Sequence, residues 1–263
     1  CPKQGFTVDK DQMKLFSTSS IDDVPLAFKE RPLSFEHFVG QKQIINRINN
    51  LDINNLPHIV FFGPPGSGKT TLAAILASEA KLEIFNFNAV LGGVKELREI
   101  ISASIQNKSF EGKKSIIFID EIHRFNKGQQ DALLPHLEKG DFVLFGATTE
   151  NPNVTLNKAI LSRVQRWRFN ALNTNEIFEI LKSACLKHSI KINSDLLNFI
   201  AANSNGDARS SLNYLEVLFQ NSDKIQHLST EQVCKQYLFE NRRYDKDSER
   251  HYDVISAFIK SIR

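Results

Sequence analysis

One stretch of the chain, an apolar run that breaks into a glycine-rich turn, constrains the fold more than any other. The run covers residues 59–62, and the turn that follows it is Gly63-Pro64-Pro65-Gly66-Ser67-Gly68-Lys69-Thr70-Thr71. Four consecutive apolar residues indicate a strand buried on both faces, and residues 72–77 continue at helical spacing. We therefore expect the turn to join a buried strand to the start of a helix.

This order of strand, turn and helix is typical of a loop that binds the phosphates of a nucleotide. Glycines at positions 63, 66 and 68 let the backbone fold closely around an anion, and the N–H groups that begin the helix add positive potential. Lys69 is then placed to reach the β- and γ-phosphates, and the Thr70 hydroxyl to bind the Mg²⁺ ion that bridges them. The alternative is a glycine-rich turn that binds nothing, which the matching strand and helix disfavour.

Composition narrows the class of protein only slightly. The chain has 263 residues, of which 41% are hydrophobic and twenty are Phe, so it can form one large domain and a smaller one. Its net charge of +3 permits a nucleic-acid partner without demanding one. The three cysteines lack C-x-x-C spacing, and no apolar run approaches the length of a membrane span. We expect a soluble, cytoplasmic protein with no membrane association, zinc site or disulfide framework.

After the glycine-rich turn, the sequence alternates between strand and helix patterns up to about residue 171 and is helical beyond it. Further strands are expected at about 83–88, 115–121, 141–149 and 164–169. Helices between these strands are expected at about 94–105, 129–139 and 157–163. This alternation predicts a parallel, doubly wound sheet of five strands. From residue 172 the pattern is helical, at about 174–188, 194–204, 208–221 and 229–240, which predicts a smaller all-helical domain.

Two acidic residues, Asp120 and Glu121, lie at the carboxyl end of the strand at 115–121, which is the end of a parallel sheet where ligands bind. We expect Asp120 to hold Mg²⁺ through water and Glu121 to polarise the attacking water, so that one carboxylate serves the metal and its neighbour the nucleophile. The alternative is a pair of solvated loop residues. His123 has no second histidine at metal-binding spacing, so we expect it on the surface of a helix.

Three other positions are open to both a functional and a structural interpretation. Thr148 and Thr149 end the next buried strand and can orient the attacking water, although threonine is also favoured in strands for its shape alone. Asp207 can cap a helix, which places Arg209 in the first turn, where the helix dipole disfavours a positive charge. Arg209 is therefore expected to contact an anion that lies outside the helix. The alternative is an arginine that is only solvated.

These residues lie within longer runs that are similar to one family, the AAA+ ATPases. Within them, the chain resembles the clamp-loader-like branch of replication-associated recombination protein A and the Werner-helicase-interacting ATPase. The similarity covers about residues 24–263. The runs that carry it are PLA at 25–27, RP at 31–32, VGQ at 39–41, GVKELR at 93–98, DEIHRFNK at 120–127, QQDALLP at 129–135, GATTENP at 146–152, LSR at 161–163, GDAR at 206–209, YDK at 244–246 and HYD at 251–253.

The resemblance implies a P-loop AAA+ domain with a parallel five-stranded sheet, followed by a smaller all-helical lid. The expected bounds are a tail at 1–24, the α/β domain at 25–171, the lid at 172–240 and the start of a truncated C-terminal oligomerisation region at 241–263. Members of the family continue past this point into a helical region that builds a homotetramer. For a chain that stops at residue 263, the resemblance therefore leaves the oligomeric state open between the homotetramer and a monomeric form.

The same resemblance gives roles to individual residues. It identifies Arg163 as the arginine finger that enters the ATP site of a neighbouring subunit, and Arg209 as the second sensor, which touches the γ-phosphate from the lid. One of Thr148 and Thr149 becomes the first sensor, with Thr149 favoured. Val39 and Gly40 are expected to line the adenine pocket. Asn88 stands where a polar residue gates Glu121, although relatives often carry a different small polar residue there.

The resemblance also implies substrates and partners. These are ATP with Mg²⁺, DNA at stalled or damaged replication forks, single-strand DNA ends, single-strand DNA-binding protein and replisome components, in a bacterial, nucleoid-associated setting. Lys95, Arg98, Arg124 and Lys127 are the candidates for facing DNA, with a solvated charged surface as the alternative. The expected function is a DNA-dependent ATPase in fork maintenance, recombination and repair. The alternatives are a branch-migration or unwinding motor and a nucleotide-gated scaffold.

Overall fold

The computed structural model describes residues 24–225 and 228–239. The expected tail up to residue 23 and the region from residue 241, with the YDK and HYD runs, lie outside the described residues. The strands are β1 (Ile59–Phe62), β2 (Ile84–Asn88), β3 (Ile116–Asp120), β4 (Val143–Thr148) and β5 (Gln165–Arg168). The helices are α1 (Leu26–Lys29), α2 (Lys42–Ile48), α3 (Lys69–Ala80), α4 (Val94–Glu111), α5 (Lys127–Lys139), α6 (Pro152–Thr155), α7 (Lys158–Leu161), α8 (Thr174–Lys187), α9 (Ser194–Asn203), α10 (Ala208–Gln220), α11 (Ser222–Ile225) and α12 (Thr230–Val233).

The five strands form one parallel sheet in the order β2-β3-β4-β1-β5, so the predicted fold class is confirmed. The three central strands are almost entirely buried, because continuous apolar runs suit strands that are covered on both faces. At the edge, β5 buries only Trp167 of its four residues. Because all the strands are parallel, the carboxyl ends of β1 and β3 lie at the same edge of the sheet, with β4 between them.

The sheet packs against two apolar layers, one on each face. On one face, Phe61 makes edge-to-face contacts with Phe145, Trp167 and Phe169, at centroid distances of 5.4, 6.0 and 5.9 Å. Such pairs stabilise a core by about 0.5–1.5 kcal/mol each beyond their buried area. On the other face, buried side chains of α4 and α5 cover the strands. The strand that leads into the glycine-rich turn is therefore held rigidly.

The helices from α8 onward form a second core of their own, which also takes in Leu26 from α1. The backbone N–H of Leu26 donates to Glu216 at 3.0 Å, and the buried Glu30 accepts from Lys187 and His188 at 3.1 and 2.9 Å. The segment that begins the described chain thus lies against the helical part, although it precedes the sheet in sequence.

The last helical segment differs from the single helix expected at 229–240. A short helix, α11, precedes it, and α12 ends after one turn and passes into a π-helical turn at Cys234–Phe239. The start at residue 230 is fixed because Ser229 and Gln232 form a capping box. Burial raises the pKa of Cys185 to about 11 and of Cys234 to about 12, so both thiols stay protonated at neutral pH. Among the described helices, none is long and apolar enough to cross a membrane.

Candidate nucleotide-binding site

The glycine-rich turn leaves β1 directly and enters α3, as the sequence predicts. Its first glycine, Gly63, has a φ of +147°, and a Cβ there would lie 2.3 Å from the carbonyl oxygen of Phe169. Only glycine fits this close backbone approach. The Ser67 hydroxyl donates to the Pro64 carbonyl at 2.7 Å, which closes the turn on itself. Pro65 is exposed, and Thr70 and Thr71 are half-buried in the first turn of α3.

The turn also contacts the helical part of the molecule. The Gly66 carbonyl accepts from the Ala208 N–H at 3.3 Å, and a Cβ on Gly66 would lie 1.8 Å from the Asp207 carboxylate. Asp207 caps α10 by accepting from Ser210 at 3.0 Å, which confirms the predicted cap. Because the start of α10 rests on the turn, Arg209 in its first turn comes close to the predicted phosphate site.

Replacement of Gly66 by Ala should separate α10 from the turn. Gly66 has a φ of +61° and Gly112 a φ of +69°, so both substitutions carry a backbone cost of about 1–2 kcal/mol. Open space surrounds Gly112, whereas Gly66→Ala also meets Asp207. We expect Gly66→Ala to lower the free energy of unfolding more than Gly112→Ala, and only Gly66→Ala to weaken nucleotide binding, measured by denaturant unfolding and fluorescent-nucleotide titration. Equal effects of the two substitutions would contradict the contact.

Lys69 lies where the turn meets α3, and its side chain is directed back along the turn. The Nζ donates to the carbonyls of Gly63 and Pro64 at 2.8 and 2.7 Å. Burial lowers the pKa of Lys69, the carboxylates of Glu121 and Asp120 raise it, and the charge of Arg209 lowers it again. Lys69 is therefore within electrostatic reach of Glu121, Asp120 and Arg209, which places charges of both signs around the turn.

The two acids end β3 beside the turn. Asp120 accepts from the N–H of Glu121 at 3.1 Å, and Glu121 has a φ of +53°. A left-handed conformation is strained for a residue with a side chain, and such strain is concentrated at functional sites. The conformation ends the strand abruptly, and the Glu121 side chain remains 36% exposed. Glu121 is thus available to a ligand at the carboxyl edge of the sheet.

The prediction that His123 lies on a helix surface is wrong. The residues after Glu121 form a 3₁₀ turn, Ile122–Arg124, which directs the ring inward beneath the end of β4. Its side chain is only 6% exposed. Nδ1 lies 3.2 Å from Glu121 Oε2 and 3.1 Å from Thr148 Oγ1, and Nε2 lies 3.4 Å from Glu150 Oε1. One sequence feature could have indicated the contact between His123 and Glu121: the two residues are only two positions apart.

The other polar residues at this edge have different surroundings. Thr148 ends β4 and is buried, with its Oγ1 accepting from the Glu150 N–H at 3.0 Å, while Thr149 is exposed. Asn88 aligns with Asp120 across β2 and β3, and its side-chain oxygen accepts from the Val90 N–H at 2.8 Å. Both threonines lie at the same edge as the acids, and the choice between them as first sensor stays a prediction.

The segment expected to line the adenine pocket packs against the turn. A Cβ on Gly68 would lie 2.8 Å from the ring of Phe38, next to the half-buried Val39 and Gly40. Gln41 is buried and adopts a φ of +52°. Its amide donates to the carbonyls of Ser67 and Asn170 at 3.3 and 2.7 Å, and its oxygen accepts from Asn170 at 3.0 Å. Gln41 therefore ties the turn to the connection between the sheet and α8.

Three arginines occupy distinct positions. Arg209 is exposed, and its charge lowers the pKa of both Lys69 and Arg31. Sequence reasoning assigned no role to Arg31, whose guanidinium lies 4.8 Å from the ring centroid of Phe28. Burial lowers the pKa of Arg31 and Asp120 raises it, so Arg31 is a further cation facing this edge. By contrast, Arg163 donates to the Ala159 carbonyl at 2.7 Å and to Glu138 at 2.5 Å, and neither belongs to the glycine-rich turn.

Comparisons with known proteins agree with this arrangement. Residues 59–172 match the ATPase family associated with various cellular activities (AAA), and residues 186–263 match the AAA C-terminal domain. Replication-associated recombination protein A of Haemophilus influenzae is 40% identical over 94% of this chain and 58% of its own length. The Escherichia coli K12 protein of that name is 38% identical, over 91% and 57%.

Two further relatives widen the comparison. ATPase WRNIP1 of Dictyostelium discoideum is 33% identical over 91% of this chain and 30% of its own length. Among solved structures, the RuvB Holliday junction branch migration motor of Thermotoga maritima superimposes with a TM-score of 0.67 at 27% identity, covering 78% of this chain and 71% of that one.

The parallel sheet, the glycine-rich turn and the acids after β3 together define an AAA nucleotide-binding fold with a helical C-terminal part. The chain belongs to the AAA+ ATPases of the replication-associated recombination protein A family. It spans a little under 60% of the length of the bacterial relatives named above.

Proposed function

We propose that this chain binds ATP with Mg²⁺ and hydrolyses it to ADP and phosphate in response to DNA. One observation carries the proposal: the start of α10, which carries Arg209, contacts Gly66 of the glycine-rich turn, and Lys69 at the end of that turn is within electrostatic reach of Asp120, Glu121 and Arg209. A site with cations for phosphates, a carboxylate for a metal and a second carboxylate for water is what phosphoryl transfer to water needs.

The residues at this edge fit a nucleotide and its metal ion. Close contacts around Gly63 and Gly66 give a backbone cradle without side chains. Hydroxyl and carboxylate oxygens, the donors that Mg²⁺ prefers, are offered by Thr70 and Asp120. Thr70 and Asp120 would hold the ion, and it would supply positive charge that neutralises part of the negative charge developing during transfer. Lys69, whose Nζ already has two carbonyl partners on the loop, would hold the β- and γ-phosphates from within it.

Catalysis would then depend on two residues of this chain. Glu121 would orient the attacking water and take up its proton, for which its half-exposed carboxylate at the strand end is available. Arg209 would contact the γ-phosphate, since the start of α10 already rests on the phosphate loop. Thr149, exposed at the end of β4, is our choice as first sensor of the same phosphate.

Completion of the site would need a neighbouring subunit. Arg163 bonds Glu138 at the end of α5, and its guanidinium is one-third exposed, which fits an arginine finger that serves the site of a second copy. The homotetramer that we infer for the natural protein would bring these groups together. We propose that Arg163 acts as an arginine finger only within such an assembly.

A DNA partner follows from the relatives and from one charged surface. The names replication-associated recombination protein A and Holliday junction branch migration motor both refer to DNA transactions. Four exposed cations, Lys95, Arg98, Arg124 and Lys127, lie on α4 and beside the start of α5, and Gln129 links these elements by donating to the Gly92 carbonyl at 3.1 Å. We place single-strand ends or forks on this surface, in the bacterial cytoplasm near the nucleoid, with single-strand DNA-binding protein and replisome components as partners.

A branch-migration or unwinding motor is the second candidate function. The likeness to the RuvB motor of Thermotoga maritima favours it. Strand displacement on forked DNA by the wild-type protein but not by Glu121→Gln would distinguish a motor from an ATPase that serves fork maintenance in another way. The third candidate function is a nucleotide-gated scaffold that recruits fork proteins without hydrolysing ATP. Rescue of cells that lack the protein by a variant that cannot hydrolyse ATP would support this scaffold function.

The test of the proposed function is phosphate release from ATP with and without forked, blunt and single-stranded DNA. We expect forked or single-stranded DNA to raise the rate of phosphate release. Lys69→Ala should lose nucleotide binding and turnover, while Lys81→Ala at the other end of α3 keeps both.

Changing the four cations Lys95, Arg98, Arg124 and Lys127 to Gln should remove the response to DNA but not basal hydrolysis. The slope of the logarithm of DNA affinity against the logarithm of salt concentration should become shallower by about 0.7–0.9 per lost phosphate contact. Absence of ATP hydrolysis from the protein at its natural length would overturn the proposal.

A further inference from the structure

We propose that His123 is a positioning residue that fixes the carboxylate of Glu121 to the end of β4. The inference rests on the proposed ATP hydrolysis, because it concerns the residue that would activate the water. It adds a link between that residue and the strand end that carries Thr148 and Thr149.

The geometry around the ring carries the inference. His123 is 6% exposed, whereas the Glu121 and Glu150 side chains are 36% and 54% exposed. Nδ1 faces both Glu121 Oε2 at 3.2 Å and Thr148 Oγ1 at 3.1 Å, and Nε2 faces Glu150 Oε1 at 3.4 Å. A buried ring with polar partners at both nitrogens is held in one orientation, so it can hold a more exposed neighbour in turn.

Glu121 needs such support for two reasons. Its backbone adopts the left-handed region, with a φ of +53°, so the surrounding contacts must maintain a strained conformation. Its side chain is long and more than one-third exposed, and a water is activated only when the carboxylate stays within hydrogen-bond reach of it. A displacement of about 1 Å can lower a rate about 100-fold.

The two tautomers of the ring have different consequences. With the proton on Nδ1, the ring donates to Thr148, and the same N–H lies 3.2 Å from Glu121 Oε2, where its positive polarity attracts and restrains that carboxylate. With the proton on Nε2, that N–H lies 3.4 Å from Glu150 Oε1, and Nδ1 can accept from the Thr148 hydroxyl. Because Glu150 follows Thr148 and Thr149 directly, movement of this strand end changes which carboxylate the ring holds. The imidazole thus links the proposed sensor strand to the proposed base.

Three substitutions at His123 separate positioning from packing. His123→Ala removes both nitrogens. His123→Asn keeps a donor at the distance of Nδ1 from the backbone, and His123→Gln keeps one at the distance of Nε2. The matched control is His136→Ala, which removes another histidine–carboxylate pair, with Nδ1 2.9 Å from Asp141, at the far end of α5.

We expect His123→Ala to lower kcat by about 10- to 100-fold, with KM and fluorescent-nucleotide affinity nearly unchanged. His123→Asn should restore most of the lost rate, because its amide N–H can still lie beside Glu121 and Thr148, and His123→Gln should restore less. His136→Ala should lower the free energy of unfolding without changing kcat. Measurement requires steady-state hydrolysis, nucleotide titration and denaturant unfolding on the same preparations, with the protein at its natural length.

The outcomes separate this inference from the proposed function. If the wild-type protein does not hydrolyse ATP, the proposed function fails, and the inference fails with it. If the wild type is active and Glu121→Gln is not, but His123→Ala keeps the wild-type kcat, only the inference is overturned. Equal losses in His123→Ala and His123→Asn, or a loss that appears in nucleotide affinity rather than kcat, also overturn it, because packing alone would then explain the effect.

Discussion

Replacement of Glu121 by Gln should leave ATP binding intact and lower hydrolysis by about 10²- to 10⁴-fold. Glutamine has the size of glutamate, and its side-chain oxygen can still occupy the place where Glu121 Oε2 lies 3.2 Å from Nδ1 of His123. The left-handed backbone at this position should therefore persist. What is lost is the negative charge that draws a proton from the attacking water.

Binding and turnover must be measured separately for this variant. A fluorescent nucleotide gives the affinity, and single-turnover hydrolysis with protein in excess gives the rate of the chemical step without product release. Glu150→Gln is the matched control, since Glu150 contacts the other nitrogen of the same ring at 3.4 Å. We expect the control to retain most of its rate. Wild-type turnover in Glu121→Gln would remove Glu121 from the proposed role, and a loss of ATP binding would show that the carboxylate is structural.

The phosphate loop and the sheet could be predicted because their signals are local. The apolar run at 59–62 and the pattern Gly-Lys-Thr at 68–70 fix a strand, a turn and a helix within a short stretch of chain. Unbroken apolar runs at the other central strands indicate burial on both faces, and together with the helical segments between them they indicate a parallel sheet covered by helices. Neither inference needed knowledge of distant contacts.

The parts that escaped prediction depend on distant contacts. Gln41 bonds Asn170, which lies 129 positions away, and Leu26 bonds Glu216 across 190 positions. His123 is buried because the chain leaves β3 through a left-handed residue and a 3₁₀ turn rather than a regular helix. No periodicity in the sequence encodes these features, since each arises from how two separate elements pack.

The long-range bonds have a functional consequence, because they join the helical part to the phosphate loop. Asp207 and Ala208 contact Gly66 directly, and the helical core holds Leu26, five residues before Arg31. A movement of the helical part would displace Arg31 and Arg209 together, relative to Lys69. The position of the helical part therefore determines how close these two cations lie to the glycine-rich turn.

Replacement of Arg163 by Ala should lower hydrolysis by about 10³- to 10⁵-fold without changing nucleotide affinity, the largest effect that we expect. The structure holds Arg163 at the end of α7 through Glu138 and the Ala159 carbonyl, at 2.5 and 2.7 Å, so its loss does not disturb the loop of its own subunit. Arg166→Ala is the matched control, because Arg166 is an exposed arginine on β5 that bonds Asn153. Steady-state hydrolysis over a range of protein concentrations measures both.

Mixing two inactive variants tests whether the finger acts between subunits. In an assembly of Arg163→Ala with Glu121→Gln, some sites combine an intact Glu121 from one subunit with an intact Arg163 from its neighbour. Activity should therefore reappear on mixing, at a fraction of the wild-type rate, when the protein at its natural length is used. If each subunit supplied its own finger, no site in the mixture would be complete, and the mixture would stay as inactive as its components. Recovery of activity would thus establish that the phosphate loop of one subunit works with the arginine of the next, whereas wild-type turnover in Arg163→Ala alone would contradict any role for the finger.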